Sequence, residues 1–187
     1  KIKIETSDDA CRKIFYTALY HTMVAPSLFS DVDGAYRGAD GKVYNKSRNV
    51  YTTMSLWDTY RAAMPLYHII HPSKRADLIN TMLDIFDEQG KLPVWHLMGN
   101  ETDCMVGNPG VIAVAEAIVK GIEGIDKERA YKACKASVML DERGQDIRKK
   151  YGYIPCDLYE EACANDMEYA IADAAVANAA RVLGYHE

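Results

Sequence analysis

Leu92-Pro93-Val94-Trp95-His96-Leu97-Met98-Gly99-Asn100-Glu101-Thr102-Asp103-Cys104-Met105-Val106-Gly107 lies in the middle of this 187-residue sequence and follows neither neighbour's helical period. Pro93 removes a backbone donor and Gly99 favours unusual dihedrals, so no helix runs through it. Trp95 and His96 lead into a polar knot, Gly99 to Asp103, and Cys104 to Val106 return the chain to apolar character. A carboxylate in a loop flanked by apolar residues is how a general acid with a raised pKa is built. The plainer alternative is that Glu101 or Asp103 caps the helix that follows.

On either side the sequence is helical. Pro72 to Gln89 carries Leu78, Met82, Ile85 and Phe86 inward and Asp84, Asp87 and Glu88 outward, with Gly90 as its stop. Beyond the stretch, Pro109-Gly110 opens a helix through Ile122, and Asp126 caps another from Lys127 to Met139. Asp141 or Asp146 begins a short piece, Tyr151 to Pro155 connects, and Asn165-Asp166 starts a last helix, Met167 to Leu183. Upstream, Ser7-Asp8-Asp9 caps a helix to about Ala25, whose stripe of Ile14, Phe15, Ala18, Leu19 and Met23 reads as core-facing.

Residues 27–49 form a long loop with Asp31-Val32-Asp33-Gly34 and Asp40-Gly41. Asp-x-Asp-Gly is the start of a calcium loop, but the remaining ligands of an EF-hand are missing, and a small hairpin fits better. Farther on, Trp57 beside Asp58 at a loop-to-helix junction pairs an indole face for a sugar ring with a carboxylate for its hydroxyls. The alternative is Ser55 or Asp58 as a helix cap and Trp57 as core. The fold expected is all-α: one domain over residues 1–187, antiparallel helical hairpins making about half of an (α/α)6 toroid, with a long loop or hairpin near residues 27–50.

Composition sets limits. Hydrophobic residues are 49% and charged residues 26%, as in a globular domain, and the net charge of −5 without basic runs argues against nucleic acid as a partner. The five cysteines have no Cys-x-x-Cys spacing, and no apolar run is long enough for a membrane span. The Lys-Ile-Lys-Ile-Glu start and the abrupt end lead to the expectation of a piece truncated at both ends.

Phe15 to His21, Phe29-Ser30-Asp31-Val32-Asp33-Gly34, Ser55-Leu56-Trp57-Asp58-Thr59 and Gly99-Asn100-Glu101-Thr102-Asp103-Cys104-Met105 together resemble the calcium-dependent inverting α-mannosidases of glycoside hydrolase family ninety-two. Gly152 to Pro155 and Glu168-Tyr169-Ala170 through Asp173 add to the resemblance in the same order. It implies an (α/α)6 domain that hydrolyses α-linked mannose, α-1,2-linked above all, with inversion. It places the general acid on Glu101 and the mannose subsite on Asp58, with Trp57 as a wall. The general base is expected downstream of this chain, and inversion needs the two carboxylates roughly 6.5–9.5 Å apart.

The resemblance also implies calcium, for which Asn100 is the nearest ligand guess, a mannose-containing glycan as partner, and a periplasmic or secreted location. Two positions depart from the family pattern: His96 stands where a Glu is usual, and Asn108-Pro109-Gly110 replaces a Tyr-His-containing sequence. The family's N-terminal β-sandwich is missing from these residues. Self-association through open edges is expected of such a piece. The alternative function is a non-catalytic helical module that binds carbohydrate or a protein partner.

Overall fold

The computed structural model describes residues 2–185. In chain order it contains α1 (Asp9–His21), β1 (Ser27–Leu28), β2 (Ala35–Arg37), β3 (Val43–Asn45), β4 (Tyr51–Thr52), β5 (Met54–Ser55), α2 (Leu56–Thr59), α3 (Ala63–Ile70) and α4 (Pro72–Gln89). There follow β6 (Trp95–Leu97), β7 (Asn100–Glu101), α5 (Pro109–Val119), α6 (Lys127–Val138), α7 (Gln145–Tyr151) and α8 (Ala162–Val182). About half of the chain is helical, but the all-α expectation is corrected by three small antiparallel sheets, β1–β4, β2–β3 and β5–β6–β7. Strands of two or three residues are too short to produce an alternating pattern, so they escape a search by periodicity.

Helix α5 is the hub. Its run Pro109-Gly-Val-Ile-Ala-Val-Ala-Glu-Ala-Ile-Val119 is apolar nearly all round, and a helix of that kind must be covered on several sides. It packs against α2, α4, α6 and α8. Leu78, Ile79, Met82 and Leu83 of α4 meet Val114 and Ile118 of α5 within one buried cluster. Arg75, fully buried on α4, donates through Nη2 to Glu116 at 2.5 Å and to the Ala113 carbonyl at 2.9 Å, which fixes α4 against α5, while its Nε has no partner among the described residues.

Local signals set several boundaries as expected. Pro72 occupies the first turn of α4, and Gly90 ends it in the left-handed conformation. The Asp8 carboxylate accepts the Ala10 and Cys11 amides, and Asp126 accepts that of Arg129. Three expectations are corrected. Asp84 is buried, not outward, because Arg48 and Arg129 converge on its carboxylate. Helix α8 starts at Ala162, so Asn165 and Asp166 lie inside it; their side chains serve Gly107 and Arg148 instead of a helix end. The α1 stripe meets the core only beyond the helix end: α1 buries no residue, with Ile14 68% exposed, while Met23 packs against the main core cluster.

The 27–50 segment is a hairpin. Tyr36 faces Tyr44 across β2–β3, and Asp40 accepts the Lys42 amide in its turn. The Asp33 carboxylate accepts the Ala35 amide, so Asp31 to Gly34 is likewise a turn. Glu88 of α4 anchors the hairpin, accepting from the Tyr36 hydroxyl at 2.7 Å and the Ala39 amide at 2.8 Å. Among the described residues no helix is long and apolar enough to cross a membrane.

Candidate active site

The sheet β5–β6–β7 assembles the site. Ser55 lies opposite Trp95 and Met54 opposite His96, while His96 lies opposite Glu101 and Leu97 opposite Asn100. The β6–β7 turn is made by Met98 and Gly99, both at positive φ, as a type I′ two-residue hairpin requires. The Met98 amide donates to Thr52 Oγ1 at 2.7 Å, which ties the turn to β4. The two candidate segments, 46 residues apart at Ser55 and Glu101, thus become neighbours in one sheet.

The Glu101 side chain turns back onto its own loop. Oε1 accepts the amides of Trp95, Thr102 and Asp103 at 2.8, 2.9 and 3.0 Å, and Oε2 accepts that of Val94 at 2.8 Å. The surroundings are therefore four backbone N–H groups and not the apolar wall expected from sequence. Oε1 is saturated, and Oε2 keeps coordination to spare. Asp103, at a φ of 49°, is held by Lys91 at 2.7 Å, and Lys91 also reaches Glu142 at 2.8 Å. Neither Glu101 nor Asp103 caps α5, whose first turn follows Asn108 without a side-chain cap.

Asp58 is exposed at the start of α2, and its carboxylate accepts a hydrogen bond from the Ser55 hydroxyl. Ser55 makes no capping bond to the helix backbone, so the capping alternative fails for both residues. Trp57 is half-buried, with the Arg61 guanidinium 5.4 Å from its ring centroid and its Nε1 buried without a hydrogen-bond partner among the described residues. Arg61 in turn pairs with Glu168 of α8 at 2.6 Å, and Tyr60 donates to the other Glu168 oxygen at 3.0 Å. Burial and the Glu168 carboxylate push the Tyr60 phenol up to about 12. Glu168 sits so close to Gly107 that a Cβ there would come within 2.4 Å of the Glu168 Cβ, so the loop's exit admits only glycine.

The sequence matches the glycosyl hydrolase family 92 catalytic domain over residues 1–187. The chain belongs to glycosyl hydrolase family 92. It is similar to a family GH92 α-mannosidase from Bacteroides thetaiotaomicron at 38% identity and a TM-score of 0.93, over 98% of this chain and 26% of that one. The same enzyme in complex with mannoimidazole gives the same identity and score over 97% and 24%. A family GH92 inverting mannosidase from that bacterium is 29% identical, with a TM-score of 0.87, over 98% of this chain and 26% of that one. No curated protein matches. The family 92 chain described here spans about a quarter of the length of these solved relatives.

Within this family 92 domain, the sequence reading named Glu101, Asp58, Trp57 and Asn100, and the sheet brings their segments together. It missed Lys91, Arg143 and the Arg61–Glu168 pair, whose contacts link distant parts of the chain. Glu168 did stand in a quoted motif, without a role. Asn100 fits a cation poorly: its Oδ1 accepts from Arg37 at 3.3 Å, and a guanidinium repels a metal ion. Among the described residues no three His, Cys, Asp or Glu side chains converge as a metal site.

The two positions read as departures from the family pattern are structural neighbours of the Glu101 loop. His96 is buried at 3% exposure, with neither ring nitrogen hydrogen-bonded among the described residues, and burial depresses its basicity. Gly110 lets α5 start against the Pro93 carbonyl, which a Cβ would meet at 2.2 Å.

Proposed function

We propose that the protein containing this chain is an inverting α-mannosidase, in which these residues supply the general acid Glu101 and, through Asp58 and Trp57, part of the mannose subsite. The observation that carries this reading is the β5–β6–β7 sheet, which joins the Glu101 loop to the segment leading into Asp58. Oε2, with only Val94 as donor, is the oxygen that carries the proton to the leaving-group oxygen. The base that activates water belongs to a part of the protein outside these residues, as do further helices closing an (α/α)6 toroid.

Calcium enters on the resemblance alone. With Arg37 on Asn100, its oxygen ligands would come from elsewhere in the protein, where a hard cation would hold sugar hydroxyls. The proposed substrate is an α-1,2-linked mannoside at the end of a glycan.

One observation favours the non-catalytic alternative: four backbone donors on Glu101 also describe a carboxylate that merely closes its own loop. The experiment is mannose release from α-1,2-mannobiose by the intact protein, repeated with Glu101→Gln. Mannose release that depends on Glu101 is expected, and the complete absence of release by the native protein would favour a binding module.

A further inference from the structure

We propose that Arg143 is a positioning residue for Glu101, gripping the far end of the acid loop so that the backbone seat of the carboxylate keeps its shape. The proposal rests on the reading of Glu101 as general acid. The guanidinium donates to the Gly107 carbonyl at 2.9 Å through Nη1 and to the Met105 carbonyl through Nη2, and its Nε lies 3.7 Å from Asp103. One planar fork therefore spans two carbonyls two residues apart, a geometry that a lysine ammonium cannot copy. The side chain is 14% exposed.

The grip is itself anchored. Arg143 and Gly144 both adopt positive φ, 52° and 82°, and the Arg143 carbonyl accepts the hydroxyl of buried Tyr169 at 2.7 Å. On the loop side, Asp103 is also left-handed, and the Gly107 amide donates to Asn165 at 3.1 Å. Non-glycine residues in that region are strained, and such strain persists only where surrounding contacts enforce it. Here two strained residues, Asp103 and Arg143, meet at one contact. They line an open polar cleft of about 410 Å³ with Tyr159, Glu161 and Asn165. A loop bordering such a cleft has room to shift once the guanidinium is gone.

The link to Glu101 is short. Its Oε1 is seated on the Thr102 and Asp103 amides, and the carbonyls held by Arg143, those of Met105 and Gly107, follow Asp103 by two and four residues. Loosening Met105 to Gly107 therefore tilts the seat of the acid without touching a substrate group.

The test uses the intact protein with Arg143→Met, Arg143→Lys, Glu101→Gln and the Arg143→Met/Glu101→Gln double variant. Expected for Arg143→Met is a kcat loss of between roughly tenfold and 100-fold on an unactivated mannoside, the scale of a small misplacement, with KM within about twofold. An activated aryl mannoside should lose less. The double variant should be no slower than Glu101→Gln alone, because the arginine acts through that carboxylate. Hydrogen exchange of the peptide spanning residues 99–107 should rise in Arg143→Met while the α5 peptide stays protected. Multiplicative losses in the double variant, or unchanged exchange in the loop peptide, would overturn the proposal. If Arg143→Met fails to fold, Arg143→Lys, with an intermediate loss expected, is judged by the same two criteria. A native protein that releases no mannose defeats the functional reading instead, and the exchange measurement then decides the grip by itself.

Discussion

At the scale of single residues, the Glu101 carboxylate changes what its own substitution tests. Gln keeps Oε1 for the Trp95, Thr102 and Asp103 amides but presents an NH2 group to the Val94 amide, setting donor against donor. One lost bond and an unsatisfied buried donor cost about 1–3 kcal/mol, so Glu101→Gln should lower the melting temperature measurably by calorimetry. Its rate loss on unactivated mannosides should still reach about 10²–10⁴-fold, with a smaller loss on activated ones. Equal losses on both substrates would show loop collapse without general acid catalysis. Asp58 behaves differently, since it is exposed and bonded to Ser55 alone. Asp58→Ala should weaken mannose binding by calorimetric titration of the intact protein and change stability by less than about 0.5 kcal/mol. Trp57→Ala should cost binding and stability together, because it removes a half-buried indole and the face under Arg61. A large stability loss from Asp58→Ala with unchanged affinity would assign that carboxylate to the fold.

Among elements, the β5–β6–β7 sheet carries a titrating group at its centre. His96 is buried between β5 and β7, and desolvation lowers its pKa below the ordinary value of about 6.5, although the nearby Glu101 charge works the other way. Between the lowered folded value and about 6.5 the unfolded chain binds more protons than the folded one. Stability is therefore fully present above about pH 6.5 and declines as pH falls through the window beneath it, by at most about 1.4 kcal/mol per pH unit from this group. His96→Leu should flatten the change in urea midpoint between pH 7.5 and pH 5.5; an unaltered slope would remove His96 from the acid response. The same sheet shows where sequence reading stops. Pro72, Gly90, Asp8 and Asp126 mark helix ends through contacts within a few residues, so those ends were legible. Asn165 and Asp166 carry the same local signal but spend their side chains on Gly107 and Arg148, and the start of α8 was misplaced accordingly. The pairing of Ser55 with Trp95 joins residues 40 positions apart and has no local signature. Glu101 and Asp58 were named as candidates because motifs mark them, whereas Arg143 and Lys91 act through the carbonyls and charges of a distant loop that no local pattern discloses.

For the whole molecule, the question is what these residues do by themselves. Helices α4, α5, α6 and α8 share one buried cluster, so the 187-residue chain should give a helical circular dichroism spectrum and a cooperative melt. Its surface is less settled: Ile14 and Tyr20 on α1, Met139 after α6 and Met167 on α8 are all more than half exposed. Apolar exposure of this kind favours association, and light scattering should find species larger than a monomer. Catalysis should be absent for an independent reason. With Glu101 as the proposed general acid, inversion also requires a carboxylate on the opposite face to activate water, and that base is proposed to lie in another part of the protein. The assay is mannose release from α-1,2-mannobiose with added calcium, run beside the Glu101→Gln chain as a contamination control. No release above that control is expected, whatever the state of association. Release above it would place a base within these residues. Asp31 would then be mutated first, because Asp33 is engaged by the Ala35 amide and Asp103 by Lys91, while Asp31 is exposed at the mouth of its turn. Loss of that release in Asp31→Asn, with the melt unchanged, would move the catalytic pair inside this chain and leave the rest of the protein a role in binding alone.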